Sequence, residues 1–166
     1  MDDYRASERT FQTLVQVAGR AGREQIPGRV IVQTYNPENY SILFAQQQEY
    51  LPFYETEINI RKQLNYPPFC DIIVMGITGE EETSVEKVAN QLFSSLQKEI
   101  QIKSTEAWIY PPMRAPIDKI KNRFRWRIIL KVKQIENIID GINILLQGNT
   151  DNKVRVTVDV NPTSMI

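Results

Sequence analysis

The order of patterned segments after residue 68 is the feature that most constrains the fold. Apolar residues recur at spacings of three and four across residues 83–102 and 134–146, which predicts two amphipathic helices. From Val154 to Val160, valines alternate with polar residues, as they do in a strand with one buried face. Further strands are predicted over residues 69–77, 107–110 and 124–132, and a long basic loop separates the last two.

The predicted order is therefore β-α-β-β-α-β, which is the order of the ferredoxin-like split βαβ sandwich. Both helices are amphipathic enough to cover one face of a sheet. A stretch of about 100 residues is an ordinary size for one domain. We predict that residues 69–166 form a ferredoxin-like C-terminal domain of the α+β class.

The first 50 residues show a different pattern. Residues 6–22 are predicted to form a helix with Ser7 as a candidate N-cap, and Val30–Val32 is an apolar run typical of a buried strand in a parallel sheet. One helix and one buried strand cannot close a core. We therefore expect residues 1–50 to be the end of a larger α/β domain, and residues 51–68 to be a helical connector that ends at Pro67-Pro68.

The composition excludes several kinds of active site. The chain has no histidine, so His-based triads and His-ligated metals are ruled out within it. Its single cysteine, Cys70, can neither form an internal disulfide nor complete a structural zinc site, and it favours a reducing cytoplasm. Because 20 basic residues balance 20 acidic ones, the chain as a whole is not a basic nucleic-acid binder.

The strongest local motif is the string Q-x-x-G-R-x-G-R between Gln16 and Arg23. Two arginines three positions apart lie on one face of a helix, where their guanidinium groups can grip phosphate oxygens. Gly19 and Gly22 each cost about 1 kcal/mol of helix propensity, so a helix that keeps both has a packing or functional reason. The alternative is a glycine-containing helix end with ordinary surface arginines.

This string resembles motif VI of the DEAD/H-like helicase superfamily, which lies on the second RecA-like lobe. The resemblance implies that Arg23 is an arginine finger on the γ-phosphate of ATP and that Arg20 assists at the phosphates. It implies that Gln16 and Gly19 complete the ATP-binding set along the cleft between the lobes. An arginine supplied across a cleft stabilises the charge that develops in phosphoryl transfer.

Blocks along the rest of the chain resemble the PriA family of replication-restart DNA helicases, also called primosomal protein N′. The matching residues are Asp3–Thr10, Pro27–Val30, Gln33–Pro37, Glu57, Arg61, Tyr66–Phe69, Ala115-Pro116, Arg125–Arg127 and Val158–Pro162. Two positions depart from the family pattern, which usually has Gly-Pro at Tyr110-Pro111 and Asp at Asn161. The chain is thus similar to the C-terminal part of such a helicase.

The resemblance implies an ATP-dependent 3′-to-5′ DNA helicase that acts in replication restart and primosome assembly. Its implied partners are branched and single-stranded DNA, the single-stranded-DNA-binding protein and primosome proteins. ATP and Mg²⁺ are expected to be bound mainly by an upstream lobe, since the chain has no G-x-x-x-x-G-K-[ST] loop. Zinc is expected in the parent protein but not in this chain, which alone should neither hydrolyse ATP nor unwind DNA.

A basic segment supplies the second candidate site. Its predicted DNA-binding residues are Arg114, Lys119, Lys121, Arg123, Arg125 and Arg127. Phe124 and Trp126 alternate with the last three arginines, so they either stack on bases or belong to the core while the arginines form a solvated stripe. The alternation favours the second interpretation. The acidic run Glu80–Glu82 is read as a solvated turn rather than a metal site.

A function from another class remains open. The chain would then be a stand-alone, non-catalytic module that binds single-stranded DNA or a protein through the basic segment. The missing phosphate-binding loop favours this alternative for the isolated chain, whereas the arginine motif favours an origin in an enzyme.

Overall fold

The computed structural model describes residues 3–21, 29–148 and 153–164. The chain divides into two compact units, Met1–Leu64 and Asn65–Ile166. This division falls inside the stretch 51–68 that the sequence predicts to be a connector. Most of that stretch is a helix of the first unit.

The first unit is built from helices. Helix α1 spans Ala6–Ala21, α2 spans Tyr40–Gln47 and α3 spans Tyr50–Gln63. The Asn39 side chain accepts a hydrogen bond from the backbone N–H of Ser41 and so caps the start of α2. The helix ends at Gln48, whose left-handed backbone (φ 57°) turns the chain into α3.

A small aromatic core holds these helices together. Phe11 of α1 stacks on Phe53 of α3 with ring centroids 4.1 Å apart, and Ala45 of α2 is buried with them. Aromatic pairs of this kind add about 0.5–1.5 kcal/mol to the burial of their surface. The inward face of α1 is therefore fixed by contacts within the unit.

The buried strand predicted at Val30–Val32 is wrong. These residues are unpaired and exposed, and 82% of the Ile31 surface is accessible. A strand needs a neighbour to accept its hydrogen bonds, and residues 3–21 and 29–64 form only helices and irregular segments. The part of the unit that the structure describes is thus not a piece of a RecA-like sheet.

The second unit contains a four-stranded sheet, one long α-helix and one shorter α-helix. In chain order these are β1 Asp71–Gly79, α4 Glu82–Ile102, β2 Ala107–Ile120, β3 Arg123–Val132, α5 Ile139–Gln147 and β4 Val154–Val160. The strands pair antiparallel in the order β2-β3-β1-β4, which places the first and third strands at the centre. This order and connectivity are those of the ferredoxin-like fold, so the fold prediction for this domain is confirmed.

One face of the sheet and the apolar face of α4 form the core of this unit. Ile73, Met75 and Ile77 of β1 face Leu92 and other α4 residues, and the β1 side chains have no accessible surface. Each fully buried aliphatic side chain contributes about 1.5–3 kcal/mol relative to exposure. The residues whose spacing predicted these elements are therefore the residues that pack together in the core.

Two element boundaries differ from the prediction. Strand β2 runs for 14 residues, so most of the predicted basic loop is strand. Pro111, Pro112 and Pro116 fit within this strand because β2 is an edge strand, where a residue without an N–H is tolerated. The segment predicted as one helix over residues 134–146 starts with a 3₁₀ turn, Ile135–Asn137, before α5.

Asn161 joins the end of β4 to the start of β1. Its side-chain oxygen accepts the Ile72 N–H at 2.9 Å, and its amide nitrogen donates to Asp71 at 2.8 Å. The same Asp71 carboxylate accepts the backbone N–H of Ile135 at 3.2 Å. Asn161 has a positive φ of 49°, a conformation that asparagine tolerates better than most residues.

Candidate functional site

The C-terminal turns of α1 carry the described part of the arginine motif. Gln16, Gly19 and Arg20 lie on one face of the helix by their spacing, and all three are exposed. A methyl group built on Gly19 would meet nothing within 4 Å. Gly22 and Arg23 lie outside the described residues. No contact among the described residues therefore explains why position 19 is a glycine.

The other end of α1 is tied to α3 by charged hydrogen bonds. Arg61 binds Glu57 on its own helix, at 2.7 Å, and Glu8 on α1, at 2.9 Å. The Tyr40 hydroxyl of α2 donates to the second oxygen of Glu57 at 2.5 Å. Charge-assisted hydrogen bonds are about twice as strong as neutral ones, so this network holds the first turns of α1 against α3.

The network also changes the acidity of its members. Burial and the hydrogen bond to Glu57 raise the pKa of Tyr40 to about 12. Burial lowers the pKa of Arg61, but its hydrogen bonds to Glu57 and Glu8 outweigh that effect and leave the pKa raised. Tyr40 therefore keeps its proton, and donates it to Glu57, throughout the physiological pH range.

The predicted DNA-binding residues lie on the hairpin formed by β2 and β3. Its turn is Lys121-Asn122, and both residues have positive φ, 48° and 60°. These values are those of a type I′ turn, whose twist matches that of the flanking strands. Three extra residues of β2 are accommodated between the cross-strand pairs Arg114–Trp126 and Lys119–Phe124.

The pairing in the hairpin decides which side chains face the core. Phe124 and Trp126 pack against the core of the second unit, as the alternation of β3 predicts. The arginines between them project to the opposite face. The two aromatic side chains of β3 thus belong to the edge of the core, whereas Trp108 of β2 is 39% exposed.

The arginines do not form one solvated stripe. Arg114 binds Glu82 at 2.6 Å, Arg123 binds Glu80 at 3.4 Å, and Arg125 donates to the Ile117 carbonyl at 3.2 Å. These contacts tie three predicted DNA ligands to the domain itself. They also give the acidic turn before α4 a role as a partner for the hairpin.

The burial of Arg127 contradicts most clearly the prediction that the arginines form a solvated stripe. Only 8% of its surface is exposed, and burial lowers its pKa. Arg127 is buried because β3 is a central strand there, with β1 on one side and β2 on the other. Lys131, four residues further along the same face, is also buried, and its ammonium lies 3.7 Å from the Tyr66 ring centroid.

A smaller set of the predicted DNA-binding residues remains exposed at the end of the hairpin. Lys119 and Lys121 are exposed, and the Lys119 ammonium lies 4.4 Å from the centre of the Phe124 ring. Ile117 and Ile120 are exposed beside them, at 55% and 42%. The sequence reasoning missed these two isoleucines because it treated residues 111–123 as a loop, where alternation carries no meaning.

The described residues offer no candidate metal site and no candidate membrane span. Residues 3–21, 29–148 and 153–164 contain no group of three or more His, Cys, Asp or Glu side chains placed to hold a metal ion. Within the same ranges, no helix has the length and apolar character needed to cross a membrane. The candidate sites are therefore the end of α1 and the β2–β3 hairpin.

Comparison with known proteins identifies relatives along the whole chain. The chain is 32% identical over 168 residues to "Replication restart protein PriA" of Bacillus subtilis (strain 168), an alignment that covers 99% of this chain and 20% of that protein. It is 37% identical over 163 residues to the protein of the same name from Synechocystis, covering 98% and 19%. The match to that of Borreliella burgdorferi is 34% identical and covers 100% and 25%. The chain thus spans about a fifth to a quarter of the length of these curated relatives.

Among solved structures, a de novo designed protein with ferredoxin fold, LFR1, matches 57% of this chain and 86% of its own at 18% identity and a TM-score of 0.39. The fold assignment rests instead on the strand order of the sheet. The family described as "Primosomal protein N C-terminal domain" matches residues 62–163, which include the whole described sheet of the second unit. Because this match covers more than half of the chain, the chain belongs to the Primosomal protein N C-terminal domain family.

Proposed function

We propose that this chain is the C-terminal portion of an ATP-dependent 3′-to-5′ DNA helicase that acts in replication restart and primosome assembly. Family membership and the name shared by its relatives, replication restart protein, support the process. The chain contributes two parts to that activity: a phosphate-facing arginine motif at the end of α1 and a DNA-contacting hairpin. Its partners are branched and single-stranded DNA, the single-stranded-DNA-binding protein and primosome proteins.

The exposed end of α1 is the observation that carries the catalytic part of the proposal. Gln16, Gly19 and Arg20 share one open face, while Phe11 and the Glu8–Arg61 contact anchor the rest of the helix. A helix held in this way can present guanidinium groups across a cleft without reorganising. The open space at Gly19 supports a close approach by a group that another part of the protein supplies.

Arg20 and Arg23 are proposed to bind the phosphates of ATP. Arg23 stabilises the charge on the γ-phosphate as it is transferred to water, and Arg20 and Gln16 position the nucleotide. Mg²⁺ and the phosphate-binding loop belong to the part of the protein that this chain does not include. The donor set described above is cationic and amide, which fits phosphate oxygens and not a metal ion.

The test uses the full-length protein and its Arg23→Ala variant. We expect ATP turnover to fall by roughly 10³-fold or more, because a missing arginine finger removes transition-state stabilisation while leaving ground-state binding of the nucleotide intact. Turnover is measured at saturating DNA, and nucleotide affinity is measured with a fluorescent ATP analogue. Unchanged turnover would show that Arg23 is an ordinary surface residue and would remove the catalytic half of the proposal.

The second candidate is a non-catalytic binding module. It is favoured by the second unit, whose buried core is complete within Asn65–Ile166. On this reading the hairpin alone carries the function, and DNA or a protein binds to it without any dependence on ATP. The Arg23→Ala experiment separates the two candidates, because the module has no use for that arginine.

A further inference from the structure

The outer edge of β4 is open along the strand. β4 is the last strand of the sheet, and among the described residues no strand pairs with its other side. At its end, Asn161 donates its backbone N–H to the Ile72 carbonyl of β1 at 2.7 Å. Alternate residues of an antiparallel strand direct their backbone groups to opposite neighbours, so the valines of β4 direct theirs away from β1. These N–H and C=O groups are a template for one more strand.

The opposite edge of the sheet is protected against such pairing. Strand β2 contains Pro111, Pro112 and Pro116, which have no N–H to donate, and its register with β3 shifts twice. Prolines and irregular register are devices by which proteins prevent edge strands from associating. Strand β4 has neither, because it keeps one register with β1 from Val154 to Val160. Of the two edges of the described sheet, the β4 edge is thus the one suited to accept a further strand.

The charges on β4 are arranged symmetrically about Thr157. Arg155 lies two residues before it and Asp159 two residues after it, in the sequence V-R-V-T-V-D-V. If two copies of this strand pair antiparallel about Thr157, each Arg155 lies directly opposite the Asp159 of the other copy. Valines then lie opposite valines, and these are the residues whose backbone groups point outward. The strand is therefore complementary to itself both in charge and in hydrogen bonding.

The side chains of β4 are placed to make these contacts. Arg155, Thr157 and Asp159 are exposed on one face of the strand. Among the described residues, neither Arg155 nor Asp159 has an oppositely charged side chain within salt-bridge distance. On the other face Val160 is 39% exposed, and the Val154 of a second copy would cover it. Pairing therefore adds opposite charges on one face of the strand and apolar contact on the other, and both stabilise paired strands.

We propose that the β4 edge binds the β4 edge of a second copy of this chain, antiparallel and centred on Thr157. The two sheets then form one continuous sheet with a two-fold axis between the Thr157 residues. The β2–β3 hairpin is at the far edge of each sheet, so both hairpins lie at the outer ends of the pair. A single strand pair is smaller than a standard interface, so the dissociation constant should be on the order of 10–100 µM.

The first test measures self-association of the 166-residue chain by sedimentation equilibrium, over concentrations that span the expected dissociation constant. Arg155→Asp and Asp159→Arg each bring like charges face to face and should weaken the dimer by about tenfold or more. The double variant Arg155→Asp/Asp159→Arg restores both pairs with reversed sign and should recover the parent affinity. An equimolar mixture of the two single variants should form a heterodimer, because an acidic strand then meets a basic one.

The control for charge is Lys87→Asp, which makes the same charge change as Arg155→Asp at an exposed position of α4 and should leave the dimer unchanged. Tryptophan fluorescence during urea unfolding checks that each variant is folded.

The second test checks the register of the pair. Opposite residues that exchange no cross-strand hydrogen bonds have Cα atoms about 4.5 Å apart, a distance that a disulfide can span. Thr157→Cys should therefore form a disulfide-linked dimer in oxidised glutathione. Arg155→Cys should not, because position 155 lies opposite Asp159 of the other copy. Cys70 is buried and present in both variants, so it gives the same background in each.

Loss of the dimer in both single charge variants, with recovery in the double variant and in the mixture, would support the inference. A parent chain that stays monomeric would overturn it and leave the edge to a partner of another kind. A dimer that survives both charge reversals, or that cross-links equally through positions 155 and 157, would show that the copies meet through another surface.

Discussion

The two units of the chain relate to function in opposite ways. The second unit buries its own core and exposes its candidate site on a hairpin that its own residues hold in place. The first unit anchors one end of α1 and leaves Gln16, Gly19 and Arg20 exposed, on a face where nothing in the described residues touches Gly19. The comparison teaches that a candidate site can be held by contacts within its own unit, like the hairpin, or can lie on a helix face that such contacts leave uncovered.

The largest predicted effect is a loss of stability when the core of the second unit is changed. Leu96 of α4 is fully buried between the helix and the sheet. Leu96→Ala should lower the free energy of unfolding by about 2–5 kcal/mol, because it removes buried surface and leaves a cavity. Both tryptophans, Trp108 and Trp126, lie in this unit, so tryptophan fluorescence in urea follows its unfolding.

Ile144→Ala is the matched control for this experiment, since Ile144 is exposed on α5. Its effect should stay within about 0.5 kcal/mol. If both substitutions destabilised the protein equally, the second unit would not have the self-contained core on which the comparison rests.

A smaller effect is expected at the junction of β1 and β4. In the Asn161→Asp variant a carboxylate replaces the amide that donates to Asp71, so two negative oxygens face each other. The free energy of unfolding should fall by about 1–3 kcal/mol at neutral pH, as measured by the same fluorescence assay. Adding Asp71→Asn restores a donor and an acceptor and should recover most of the loss. A lack of recovery would mean that the backbone at Asn161, and not this hydrogen bond, sets the stability.

The smallest effect concerns the open face of α1. Gly19→Ala should stabilise the isolated chain by up to about 1 kcal/mol, because alanine favours helix and its methyl group meets no other atom. In the full-length protein the same substitution should lower ATP turnover if another group approaches this face closely. Circular dichroism of the chain and ATPase assays of the whole protein check the two halves. Equal turnover in both proteins would leave the glycine without a functional reason.

The sequence predicted the ferredoxin-like domain well because the residues at its periodic apolar positions are also the residues that pack in its core. The apolar residues of α4 recur with helical spacing, and the valines of β4 alternate as in a strand. In both elements most of the apolar positions are more buried than their polar neighbours. The strand at Val30–Val32 failed because the pattern measures the apolarity of a segment and not whether a neighbouring strand exists. The length of β2 was missed because its register shifts twice, after Tyr110 and after Arg114, so its side chains do not alternate regularly along the sequence.

The residue types of the candidate sites could be predicted from the sequence, but the burial and the contacts of those residues could not. The arginine motif and the basic segment were visible as strings of letters. The burial of Arg127 and the pairing of Arg114 and Arg123 with Glu82 and Glu80 depend on sheet order and on contacts far apart in sequence. The exposure of Ile117 and Ile120 on a strand could be recognised only once the predicted loop proved to be a strand.

The most direct test of the account is ATP turnover by the full-length protein carrying Lys119→Gln/Lys121→Gln, measured at saturating DNA. If the hairpin and the arginine motif contribute separately, this variant needs more DNA to reach its maximum but reaches the parent's maximal turnover. The Arg23→Ala variant, assayed beside it, should show the reverse, with unchanged DNA affinity and little turnover. A maximal turnover that falls in the lysine variant as far as in the arginine variant would contradict the account.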